Sequence, residues 1–194
     1  MRIVTGLIDA GGHRTQAVYS AVIPRQGKGL FVSFGRSGGE NGLMVSPPKA
    51  VRPKNGTGTV HRRIIDADQL KALTFARLKV ADKGAEYIHF PMTVGETFFE
   101  GLTAEKLITK RNKYGVPSKQ WEQIRERNEQ LDCWCLALAA LRAVAPNAQK
   151  FHDLAAKVHR RAAAVKVPAD TPTGPPRKQP WIAPRRGGWL KGDR

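Results

Sequence analysis

Nine consecutive residues, Cys133 to Leu141 (CWCLALAAL), carry no charge, and the helix they imply is apolar on every side. Such a helix is stable only inside a core, so the chain must pack further elements around it. Directly ahead lies RNEQLDC (127–133), which places two acids, Glu129 and Asp132, where the helix enters the interior. Three positions apart, they share a helix face. A carboxylate at the margin of a core is costly without a partner. These acids therefore call for a cation or for strong donors.

The elements that could surround this helix are legible upstream. RIVTGLI (2–8) reads as a buried strand ending on Asp9, with a Gly11-Gly12 turn behind it. TQAVYSAVI (15–23) repeats its apolar residues at helical spacing, and GLFVSF (29–34) reads as a strand. Residues 35–58 are rich in Gly, Pro and Lys and predict an exposed, basic, irregular excursion. Within it, GRSGGENG (35–42) lacks the lysine and helix start of a phosphate cradle, and predicts a mobile loop. VHRRII (60–65) is a strand running into Asp66 and Asp68, and DQLKALTFARLKV (68–80) is a helix. AEYIHFP (85–91) predicts a short strand stopped by Pro91, and residues 96–110 a partly helical segment. A long helix is expected from Ser118, as N-cap, to about Val144, with Trp121 and Trp134 facing the core. A short basic helix should follow over 148–165. Alternating strands and helices predict an α/β layered domain. Its boundaries are expected at 1–146, followed by a basic helical segment (147–167) and a disordered tail (168–194). The tail holds six prolines and six Lys or Arg in 27 residues.

Composition narrows the partner. Thirty-three Lys and Arg against 16 Asp and Glu give a net charge of +17, which favours a polyanion, nucleic acid first. No apolar run approaches the ~20 residues that span a bilayer, so no membrane partner is expected. The opening MRIVTGLIDAGG has no signal-peptide pattern. Cys133 and Cys135, two apart on one helix, point in different directions, which suits a reducing compartment and excludes a disulfide framework. With no further cysteine or histidine pair at zinc spacing, they carry no metal reading.

The acids supply a chemistry. Asp9 should emerge at the carboxyl end of its strand, the edge where open α/β sheets bind ligands. Asp66 and Asp68 repeat the arrangement. Acids converging there with Glu129 and Asp132 would make an oxygen cage for Mg²⁺ or Mn²⁺, and two such ions can clamp a phosphodiester. The plain alternative is equally definite. Aspartates after strands cap the next helix, and Glu129 or Asp132 can pair with Arg125 or Arg127.

Four strings in order, IDAGGHRTQAVY (8–19), YIHFP (87–91), FFEGLTAEKLITK (98–110) and RNEQLDCWCLALAAL (127–141), closely resemble the endonuclease part of the lambda-type phage terminase large subunit. The resemblance spans roughly residues 5–145. It implies an RNase H-like nuclease fold with a two-metal Mg²⁺ or Mn²⁺ site that cuts concatemeric viral DNA. It also implies double-stranded viral DNA, the terminase small subunit and the portal or prohead as partners, in the cytoplasm of a bacterial host.

Carried over by position, Asp9 matches the strand-Asp-Gly-Gly acid, Glu129 and Asp132 the Asn-Glu-x-x-Asp helix, and Asp68 (or Asp66) with Lys71 the acid-then-lysine motif. His89 matches a His-Phe-Pro motif of structural role. Asp9, Asp132 and Asp68 are the expected metal ligands, with Glu129 as a further catalytic acid. Lys71, Arg62, Arg63, Lys49 and Lys54 are the expected DNA contacts. The family's leading Asp and its strand normally lie upstream of the segment matched here, and no phosphate loop is present. The expectation is thus a fold incomplete at its N-terminal side and a weak nuclease in isolation, from a fragment, split gene or prophage remnant.

A second class remains open: a non-catalytic basic module that binds DNA or docks on a prohead through residues 168–194, with Trp181 and Trp189 as anchors. A third, an RNase H-like resolvase or transposase, would share the acids but not the HFP and LTAE strings.

Overall fold

The computed structural model describes residues 3–54, 58–84 and 86–164. The expected tail, with Trp181 and Trp189, lies outside the described residues. By its internal contacts the chain divides into Met1–Ala156 and Lys157–Arg194. All elements below belong to the first unit, apart from the last turns of α5.

Three parallel strands form the centre: β1 (Gly6–Asp9), β2 (Leu30–Arg36) and β4 (Val60–Asp66). Parallel neighbours need a crossover. Between β1 and β2 it is α1 (Thr15–Val22) and a 3₁₀ turn, Ile23–Lys28. Strand β3 (Lys49–Val51) adds antiparallel to β4, giving the order β1-β2-β4-β3. The excursion predicted as irregular thus contributes an edge strand. Its glycine loop is built of tight turns, with Gly38, Gly39, Asn41 and Gly42 all at positive φ. Beyond β4 come α2 (Ala67–Leu78), α3 (Glu96–Leu102), the antiparallel hairpin of β5 (Glu105–Arg111) and β6 (Pro117–Gln123), α4 (Glu129–Val144) and α5 (Ala148–Ala164).

Because strand side chains alternate between faces, the central sheet has two cores. Val32 and Val60 join Tyr19 and Val22 of α1 on one side. Ile65 joins Leu70 of α2, Leu102 of α3 and Leu131, Cys135, Leu138 and Ala139 of α4 on the other. The charge-free helix buries one face, with Cys135, Leu138, Ala139 and Ala140, but leaves Cys133 and Ala137 exposed, so it is not enclosed on every side as its composition suggested. The fold is mixed α/β.

Two expectations fail. Residues 118–128 are not helical: Ser118 lies in β6, its hydroxyl directed at the Lys110 carbonyl across the hairpin. Pairing with β5 after the Gly115 turn (φ 78°) overrides the helix-favouring Lys, Gln and Glu of the segment. Trp121 is accordingly a strand residue, packed on Phe75 of α2. Over the described residues of 85–91 there is no strand either. Phe90 is drawn instead into an aromatic cluster with Phe98, Phe99 and Trp134.

Candidate active site

Strand β1 delivers Asp9 to the carboxyl end of the parallel sheet. There its Oδ1 accepts the Gly11 amide at 3.0 Å, and a Cβ at position 11 would stand only 3.3 Å from that oxygen. Helix α4 packs against β1, and Asp9 is among the charges that act on Asp132 in the helix's first turn.

The residue that completes the cluster is Glu105, the first of β5. It is 6% exposed, and its two oxygens accept from Lys71 Nζ at 2.8 and 2.6 Å. Oε1 also accepts from Asn128 Nδ2 at 3.0 Å. Sequence reasoning passed over Glu105 and Asn128, although both lie inside quoted strings. The available signal was a lone acid set between Leu102, Ala104 and Leu107, where an unpaired carboxylate would be costly.

Asp132, though exposed at the surface, responds to these groups. Its carboxyl is held above its usual range, first by partial loss of solvent. Lys71 opposes that shift, while Glu105, Asp9 and Glu129 add to it. One turn on, burial pushes the Cys135 thiol up to about 11.

The remaining expected residues fall into place differently. Asp66 is fully buried and caps α2, accepting from the Gln69 backbone amide at 3.0 Å and from its side-chain amide at 2.7 Å. Asp68 accepts from the Ser37 hydroxyl, outside the set that acts on Asp132. Glu129 faces solvent and pairs with Arg127 at 3.5 Å. Lys71 is committed to Glu105. Arg62 lies 5.7 Å over the ring of Phe34, and Arg63 4.9 Å over Phe31 while donating to the Ser46 carbonyl at 2.8 Å. Lys49, opposite Arg62 in the ladder, and Lys54 are exposed. His89 is exposed and meets Tyr87 edge-on. Among the described residues, no group of three or more His, Cys, Asp or Glu is gathered closely enough to hold a metal ion.

The family model of the terminase large subunit gpA endonuclease domain matches residues 1–152. The chain belongs to that family. No curated protein and no solved structure matches it significantly. Membership gives this terminase endonuclease domain a nuclease role in phage DNA packaging, with DNA as substrate. Divalent metals generally serve such nucleases. No helix among its described residues is long and apolar enough to cross a membrane.

Proposed function

We propose that the chain is the metal-dependent DNA endonuclease portion of a phage packaging terminase, of RNase H-like fold, acting in the host cytoplasm on concatemeric viral DNA. The observation that carries this reading is the placement of Asp9 at the carboxyl end of β1, against which α4 packs, with the Lys71–Glu105 pair and Asp9 both acting on Asp132 at the start of α4. Parallel strands that end in acids are consistent with the fold assignment.

An all-oxygen donor set suits Mg²⁺ or Mn²⁺. Mg²⁺ is commonly held by one or two carboxylates, with water and substrate phosphate completing its shell. The absence of a three-residue cage among the described residues is therefore compatible with Asp9 and Asp132 as the ligands. Asp68 and Glu129 are proposed in supporting roles only. A bound ion would acidify water and neutralise charge on the phosphodiester. The protein's own part is to hold Asp9 by the Gly11 amide, to present Asp132 with its elevated proton affinity, and to keep Lys71 fixed by Glu105 as a local positive charge. Residues 1–146 would be the catalytic unit, with 147–167 a basic helix. Residues 168–194 would be a tail that docks on the portal or prohead, beside a small-subunit partner.

The test is cleavage of linear and supercoiled DNA with Mg²⁺ or Mn²⁺, comparing the protein with Asp132→Asn and Asp9→Asn. Loss of at least a hundredfold in both variants supports the proposal. Undiminished cleavage in Asp132→Asn overturns it. The net charge of +17 also suits a second reading, a non-catalytic DNA-binding or prohead-docking fragment of a split or degraded terminase. Metal-dependent stabilisation lost in Asp132→Asn would speak against that reading.

A further inference from the structure

The β5–β6 hairpin is asymmetric in charge and in packing. Its root is fixed: Glu105 binds Lys71 and Asn128, Trp121 packs on Phe75 with ring centroids 5.1 Å apart, and Lys110 meets Glu122 at 3.3 Å. Beyond the root, every residue from Thr109 to Gln120 is exposed. Between Lys106 and Trp121 the sequence has five cations (Lys106, Lys110, Arg111, Lys113 and Lys119) and no acid.

The tip is a hydrogen-bonded turn. Asn112 Oδ1 accepts from the amides of Tyr114 and Val116 at 2.9 and 3.0 Å, Gly115 turns the chain at φ 78°, and Arg111 donates to the Gly115 carbonyl at 3.0 Å. This turn displays Tyr114, 77% exposed, with the Lys113 ammonium 5.0 Å over its ring. Lysines on an open ribbon do deter edge-to-edge pairing. That role explains neither the pre-organised turn nor an exposed aromatic held among cations.

We infer that this hairpin is a contact arm for duplex DNA, with Lys106, Lys113 and Lys119 engaging backbone phosphates and Tyr114 lying against the sugar-phosphate wall of a groove. A two-stranded ribbon fits the major groove, and a pre-formed turn avoids an ordering cost on binding. At ~3.3 Å per residue, β5 carries the tip roughly 20 Å from Glu105. That span corresponds to about six base pairs at ~3.4 Å each. The inference rests on the nuclease reading for its DNA partner. It adds a duplex contact outside the acidic residues of the site.

The experiment is duplex binding by the full chain, read by fluorescence anisotropy across a salt series. The proteins compared are wild type, Lys106→Gln/Lys113→Gln/Lys119→Gln and Tyr114→Ala, with melting curves to verify folding. The triple variant should bind at least tenfold more weakly and lose about 3 from the slope of log K against log salt, at ~0.9 per phosphate contact. Tyr114→Ala should weaken binding at an unchanged slope. Wild-type binding with an unaltered slope in a folded triple variant overturns the arm alone. Failure of wild type to bind any duplex overturns both the arm and the nuclease reading. Equal, hairpin-dependent capture of single-stranded RNA overturns the assignment to duplex DNA.

Discussion

Lys71 Nζ lies 2.8 and 2.6 Å from the two carboxylate oxygens of Glu105, joining α2 to β5 across 34 positions of sequence. Both side chains are largely shielded, at 16% and 6% exposure. Removing one partner of such a pair strands the other charge, at a cost of about 3–5 kcal/mol. Lys71→Met should therefore lower the urea midpoint sharply, and Lys71→Met/Glu105→Leu should recover most of the loss. Additive losses in the double variant would mean that the pair is not a unit.

Asp132 makes a prediction whose sign is unusual for an aspartate. Its folded pKa is raised above 3.8 by burial and by the acids around it, against the pull of Lys71. The folded state thus holds the proton more tightly than the unfolded chain does. The associated stability is fully present below 3.8 and is lost as pH rises through the folded value. Because Asp132 is exposed and solvent screens its charge, Asp132→Asn should melt only slightly higher than wild type at neutral pH, with the difference closing at about pH 3. Excess Mg²⁺ should narrow the neutral-pH gap, because a cation favours the ionised carboxylate. A gap independent of pH would contradict this account.

Asp66 caps a helix. Its buried carboxylate caps α2 through two hydrogen bonds to Gln69, so Asp66→Ala should cost about 1–2 kcal/mol in denaturant unfolding. Cleavage per folded molecule should fall far less than in Asp132→Asn. An equal collapse of activity in a folded Asp66→Ala would return Asp66 to the catalytic set.

The two cysteines should differ in reactivity. Cys135 is buried, with its thiol pushed up to about 11, whereas Cys133 is exposed. Since the thiolate is the nucleophile, brief alkylation of the native protein at mildly alkaline pH should add one label by mass spectrometry, at Cys133. Labelling of Cys135 at a comparable rate would show that α4 opens locally.

What the sequence determined by itself is local. The apolar strand ahead of Asp9, the helix of Thr15–Val22 and the charge-free core of α4 each announce themselves through periodicity or composition. Those signals arise from neighbours along the chain. The four ordered strings likewise placed the chain in its family. Tertiary structure decided what depends on distant partners. β6 is a strand because β5 lies beside it, though its Lys, Gln and Glu favour helix on their own. Asp66 and Asp68, alike in sequence, part ways because one meets Gln69 and the other Ser37. Glu105 enters the site only because Lys71 and Asn128 converge on it from two other elements. A carboxylate's role follows from the charges and donors that surround it, and those neighbours are assembled only when the chain folds.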